Sequence, residues 1–213
     1  MCRRRRLVGT VTLTLPLVLF LLAVVVPVFF GKVRSTPVWL ALQAIALGWN
    51  GISQHAEVTA HVLVAFVEIL VVRGAIAPRL LRRAIRLRPE PNLDLMPSNL
   101  FTWAIAIGLI VLAFEFGAPA MSDRQALTLG VVGATVAVAL LVLSTNNSPT
   151  AQLVAVLLME NALALFESLL PEPWPLPVHF ALSAIYLLTV AVGSWLVGAR
   201  EPVDEAAPAK EVP

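Results

Sequence analysis

Mainly apolar stretches of about twenty residues, each closed by a short polar or proline-containing break, recur along the whole chain. A helix that crosses the hydrocarbon of a bilayer needs roughly twenty residues at a rise of 1.5 Å each. Seven stretches approach that length: 7–30, 36–52, 58–81, 98–117, 126–143, 151–170 and 178–198. The first and fifth are uncharged, and the second carries Gln43 and Asn50. The third carries His61, Glu68, Arg73 and Arg79, whereas the fourth is clean until Glu115. The sixth holds Glu160 and Glu167, and the seventh holds His179. The breaks, among them GKVRS, APAMSDR, STNNSP and PEPWPLP, are built from turn-forming residues. No segment alternates apolar and polar positions as a half-buried strand does. The pattern predicts an all-α, polytopic transmembrane helix bundle of about seven spans over residues 7–198. A basic segment, 1–6, precedes it, and a tail, 199–213, rich in charge, Pro and Ala, is expected to be disordered.

Composition agrees. The chain has 213 residues, 59% hydrophobic and 13% charged, and a mean hydropathy of +0.87. Soluble domains are about half apolar and a quarter charged, so these values belong to an integral membrane protein. The net charge of +2 conceals two basic blocks, residues 3–6 and the set Arg79, Arg82, Arg83, Arg86 and Arg88. Basic blocks beside apolar runs are topology signals, so no nucleic-acid partner is expected. The single cysteine, Cys2, excludes an intrachain disulfide and any thiolate-held cluster contained in this chain. There is no phosphate-cradling glycine loop, no HExxH or CxxC spacing and no nucleophile elbow. The chain is therefore expected to have no catalytic residues, cofactor or metal of its own.

The positive-inside rule can be counted in two ways. Seven spans with the N-terminus outside put nine Lys/Arg inside and five outside. Were the stretch 36–52 re-entrant, six spans with the N-terminus inside would give eleven against three. The four leading arginines also resemble the start of a signal peptide. The apolar core behind them is too long for a cleaved one, and Phe29–Phe30–Gly31 lacks a small-x-small site. The reading is an uncleaved first helix. A faint repeat favours seven: Ser35–Thr36–Pro37 echoes Ser148–Pro149–Thr150, and the interval from His61 to Arg82 equals that from His179 to Arg200. Two parallel copies of three helices need one helix between them, and 98–117 fits.

Ionisable groups inside apolar helices mark the candidate chemistry. Glu160 has about nine mainly apolar residues on either side, near the hydrocarbon midplane, where a carboxylate needs a partner, water or a proton. Glu167, seven residues on, shares its face. On the third helix Glu57, His61 and Glu68 fall on one face at regular α-helical spacing, and Arg73 falls on another. Carboxylates and an imidazole in one stripe are what a proton relay needs. The seventh helix adds His179 and Ser183, four apart, with Tyr186 a turn further. The structural alternative is that Glu57 and His61 are interfacial, that Glu68 and Arg73 pair with neighbouring helices, and that Glu167 and Glu115 snorkel to the surface.

LMEN at 158–161 and VVRGAIAPRLLRR at 71–83 give the chain a family look. It resembles the hydrogenase-4 component E family, membrane subunits of energy-converting nickel–iron hydrogenases and formate hydrogenlyase. Residues 126–198 are similar to the K subunit of respiratory complex I and to a small subunit of multi-subunit cation/proton antiporters. Glu160 matches the family's membrane-embedded glutamate, Arg73 stands where a lysine is usual, Pro78 matches a proline and Arg82–Arg83 a basic end. Ala162 and Ala155 replace glycines, and Ser183 occupies the place of a second acidic residue. The resemblance implies a non-catalytic subunit of a complex I-like assembly in a bacterial cytoplasmic membrane, with hydrogenase-type and other membrane subunits as partners besides the lipid bilayer. It implies a proton pathway through Glu160, Glu68, Arg73, His61, His179, Glu167 and Ser183. A structural scaffold, or a component of a cation/proton antiporter, is the alternative.

Overall fold

The computed structural model describes residues 2–54, 59–87, 94–117, 123–170 and 174–199, with side chains from residue 14 onward except at 61, 117 and 199. The helices are α1 (Cys2–Phe30), α2 (Thr36–Gln54), α3 (Ala60–Glu68), α4 (Ala77–Leu87), α5 (Leu100–Gly117), α6 (Asp123–Thr145), α7 (Pro149–Phe166) and α8 (Leu176–Ala199). A π-helical segment, Ile69–Ile76, joins α3 to α4, so the three form one unbroken rod. Seven rods therefore stand where seven apolar stretches were read. Glu57 and the tail from residue 200 lie outside the described residues, as does the side chain of His61.

Local chemistry sets the ends. Thr59 caps α3 by accepting a hydrogen bond from Val62 N–H, and Asn99 Oδ1 accepts one from Thr102 N–H at 2.7 Å at the start of α5. Pro149 occupies the first turn of α7, where its missing N–H costs no intrahelical bond. Asn146, between α6 and α7, donates to the carbonyls of Asp94 and Leu95, tying that turn to the segment before α5. Lys32, between α1 and α2, forms a backbone bridge with Asp94. These contacts gather the α1–α2 turn, the segment before α5 and the α6–α7 turn at one end of the bundle. At the other end Arg124, opening α6, reaches Asn50 Oδ1 and Ser53 Oγ near the end of α2. α2 is one continuous helix running the length of the bundle, so within the fold it does not turn back as a re-entrant segment would.

α6 packs against α5, α7 and α1; α2 packs against α1, the α3–α4 rod and α7; α8 closes against α4 and α7. Small residues line these seams, including Ala44, Ala134, Ala151 and Ala155, all with no exposed area. Lipid tails are as apolar as leucine, so helices in a bilayer associate through close van der Waals approach, which small side chains permit. Gly130 admits the ring of Phe114 from α5, and Gly193 admits the side chain of Leu153 from α7.

Large apolar side chains also cover much of the outside. Exposed large hydrophobics are distributed over α1, α2, α3, α5 and α8, with Phe101 at 76% and Trp195 at 68%. A water-soluble bundle does not present such faces on most of its helices. Three helices, Asp123–Thr145, Pro149–Leu169 and Leu176–Gly198, are long and apolar enough to cross a membrane, and two shorter apolar helices, Thr14–Phe30 and Leu100–Phe116, accompany them. The chain is an all-helical membrane protein.

The Gly193 seam gives a packing test. A Gly193→Leu side chain has to displace Leu153, an overpacking expected to cost about 1–3 kcal/mol. Thermal unfolding in detergent should show the loss. Adding Leu153→Ala should recover part of it, so the double mutant is less destabilised than the two single changes summed.

Candidate functional site

One face of α8 carries a row of polar and aromatic side chains. His179, Ser183, Tyr186 and Thr189 follow at intervals of four, three and three residues, a ladder about 15 Å long at helical rise. Each rung meets a group from another element. His179 Nε2 lies 2.9 Å from Glu167 Oε1, which also accepts the Trp174 N–H at 3.0 Å. Ser183 Oγ donates to Glu68 Oε1 from α3. The guanidinium of Arg73 lies over the Tyr186 ring, 4.3 Å from its centroid. Thr189 Oγ1 donates to Glu160 Oε1 at 3.0 Å.

Arg73 joins this ladder to α7 and α2. It is 4% exposed and donates from Nη1 to Asn161 Oδ1 at 2.9 Å and to the Glu160 carbonyl at 3.2 Å. A guanidinium only donates, so the Asn161 oxygen must face it and the Asn161 Nδ2 must face away. That nitrogen donates to Gln43 Oε1 on α2 at 2.8 Å. Four elements thus meet around one buried cation.

The π segment explains how Arg73 gets there, and it corrects the expectation that Arg73 and Glu68 lie on different faces. In a regular α-helix, positions five apart point well away from each other. A π-helix bonds i to i+5, so residues five apart stack one above the other. The segment closes with Ala77 N–H bonded to Val72 C=O, the i to i+5 pattern. The widened turn brings Arg73 round beneath Glu68, and both side chains reach α8. Such segments recur at functional sites, although no sequence periodicity announces them.

Most of the residues read from sequence come together. Glu160, Glu167, Glu68, Arg73, His179 and Ser183 all take part in the ladder. Glu160 and Glu167 share a face as expected, since both reach α8. Glu167 is paired with His179 rather than extended alone to the surface, each side chain 13–15% exposed. Glu115 stands apart, exposed on the outer side of α5. Sequence reasoning missed Gln43 and Thr189 as members of the site, and it noted Asn161 and Tyr186 without assigning them a role. Gln43 has no exposed area and offered a signal, an amide in the middle of an otherwise apolar helix. Thr189 offered none.

Six buried side-chain atoms lack a hydrogen-bond partner among the described residues, and three of them belong to this site: Glu160 Oε2, Gln43 Nε2 and the Tyr186 hydroxyl. A carboxyl with one oxygen bonded to a hydroxyl and the other free, deep in a helix bundle, is placed to take up or pass on a proton, or to hold a water. Among the described residues no group of three or more His, Cys, Asp or Glu side chains could hold a metal ion. No family model, curated protein or solved structure matches this chain.

Asn161 tests the cluster. Asn161→Leu leaves Arg73 with only the Glu160 carbonyl as acceptor and Gln43 without its donor, and should lower stability by about 2–3 kcal/mol, the range for hydrogen bonds to a buried charge. Combining it with Arg73→Met should recover much of that loss, because the unsatisfied cation is gone. Heat denaturation of the four proteins in one detergent measures the coupling.

Proposed function

We propose that this chain is a non-catalytic membrane subunit in which the α8 ladder passes or couples protons across a seven-span bundle. The observation that carries the reading is Glu160, whose carboxyl sits among buried residues of α7 with one oxygen on Thr189 and the other unbonded. Glu68 with Ser183, and Glu167 with His179, extend proton-exchanging groups from Glu160 towards the Arg124 end. Arg73 donates to the Asn161 amide oxygen and the Glu160 backbone carbonyl rather than to a carboxylate side chain, and acts as a fixed charge beside the ladder.

The resemblance to hydrogenase-4 component E gives this reading its context: a complex I-like hydrogenase or formate hydrogenlyase assembly in a bacterial cytoplasmic membrane, with the redox chemistry in partner chains. In that family the last helix carries a second acid where this chain has Ser183. Here Glu68 delivers a carboxyl to that hydroxyl from α3, which supplies the missing group from another helix. A scaffold reading draws on Arg73, which fastens α7 and α8 to the rod and, through Asn161, to α2.

Glu160→Gln separates the two. The amide oxygen retains the bond from Thr189 but the side chain no longer titrates. Under the proton reading, complex yield on native gels stays normal while proton uptake by inverted vesicles falls to a small fraction of wild type. Glu160→Asp, which still titrates, should retain most of it. Normal yield together with normal uptake in Glu160→Gln would leave the scaffold reading standing.

The proposed topology assigns the two ends of the bundle to opposite sides of the membrane. With seven spans, the N-terminus outside, and residues 82–97 and the tail cytoplasmic, Ser35 and Asn147 lie on the cytoplasmic side and Gln54 and Asp123 on the other. In a Cys2→Ser background, Ser35→Cys and Asn147→Cys should react with an impermeant thiol reagent from one side, and Gln54→Cys and Asp123→Cys from the opposite side. Reaction of Ser35→Cys and Asn147→Cys from opposite sides would give six spans.

A further inference from the structure

Away from the ladder, α4 is an amphipathic helix of unusual contrast. Ala77, Pro78, Leu81 and Ala84 are buried, whereas Arg79, Arg82, Arg83 and Arg86 are exposed. None of these four arginines has a hydrogen bond or ion pair among the described residues. Unsatisfied guanidiniums at a membrane surface are ordinary when they merely face water. Two of these do more, because Arg79 and Arg82 line a hollow of about 220 Å³ between the start of α2 and the rod, floored by Pro37, Gly74, Ala75 and Pro78. No acidic residue lines it among the described residues. Gly74 and Ala75 keep the floor low, since neither offers more than a methyl group.

Exposed apolar side chains lie on the same two elements, within three residues of the lining. Val38, itself in the lining, is 56% exposed, and Val71 and Ile76 on the rod are 47% and 36% exposed. Cations above an uncovered apolar strip match a molecule with an anionic head and a hydrocarbon chain. A soluble anion would use only the arginines, and an acidic peptide would leave the strip uncovered. We propose that this hollow is a binding site for the phosphate headgroup of an anionic phospholipid, held by Arg79 and Arg82, with its acyl chain lying against Val38, Val71 and Ile76. The inference rests on the membrane placement of the chain and is independent of proton transfer. Basic groups at a bilayer surface each favour anionic lipid, and a fork-shaped guanidinium matches phosphate oxygens two at a time.

The test titrates phosphatidylglycerol, phosphatidylcholine of the same acyl chains, or inorganic phosphate into the full-length protein in a neutral detergent, with heat denaturation as the readout. The wild type should favour phosphatidylglycerol over phosphatidylcholine by about tenfold or more in apparent affinity. Arg79→Gln with Arg82→Gln should abolish the preference, whereas Arg83→Gln with Arg86→Gln should keep it within about twofold. Ala75→Phe, which fills the hollow and retains every charge, should abolish it too. Each variant must match the wild type in helix content and in its lipid-free midpoint; Ala75→Leu replaces Ala75→Phe if the larger side chain fails that requirement. A preference that survives in Ala75→Phe or in the Arg79/Arg82 variant, or that is lost equally in the Arg83/Arg86 variant, would reduce the site to diffuse charge attraction and overturn the proposal. Equal stabilisation by inorganic phosphate alone would assign the hollow to a soluble anion and overturn it as well.

Discussion

A guanidinium buried inside an apolar bundle is the constraint around which the other polar contacts arrange themselves. Leaving the guanidinium of Arg73 unpartnered in a low-dielectric interior would cost several kcal/mol. Its acceptors fix the orientation of Asn161, and that orientation reaches across to Gln43. Its flat face takes the Tyr186 ring, which sets where α8 lies against the rod. Remove the cation and the amides on α2 and α7 lose their reason to be buried. The helices around it can pack through small residues because one well-satisfied polar centre supplies specificity that van der Waals contact lacks.

How much of this could be read from the chain depends on which physical rule governs each part. The rods were legible because long apolar stretches between polar breaks favour helices of that length, and the breaks at Gly31 and Pro149 obey turn chemistry. The acids Glu160 and Glu68 were legible because a charge among apolar residues is conspicuous in a string of letters. Arg73 was visible for the same reason, but its direction was not. Projecting it onto an α-helical wheel assumes one bond pattern throughout, and the π segment breaks that assumption within the eight residues that matter. Thr189 was invisible because a threonine in a helix commonly bonds its own backbone, as Thr128 and Thr135 do here, and its contact with Glu160 exists only once α7 and α8 are paired. Gln43 was visible but was weighed as a defect in a span, when it is half of an amide pair.

The two chemistries of the rod occupy different depths. Its upper turns, around Arg73 and Glu68, face inward to α7 and α8. Its last turns face outward, with four arginines on the side opposite Leu81 and Ala84. One continuous helix therefore links the interior polar centre to the charged surface, and neither needs a loop to be positioned. Secondary structure held by its own backbone bonds is the suitable carrier where no water can satisfy a broken turn.

That continuity has a consequence for how the chain tolerates change in length. The π turn holds one residue more than an α turn would, so α3 and α4 keep nearly the mutual rotation that one residue fewer would give in a regular α-helix. Deleting a single residue within 69–76 and rewinding the rod as α-helix would therefore leave Glu68 and the arginines of α4 facing close to their present surroundings. The same deletion in the middle of α6, which is α-helical throughout and packs against α5, α7 and α1, would turn one half against the other by about 100°. The bundle can thus absorb a change of residue count in eight positions of the rod that it could not absorb in its central helix.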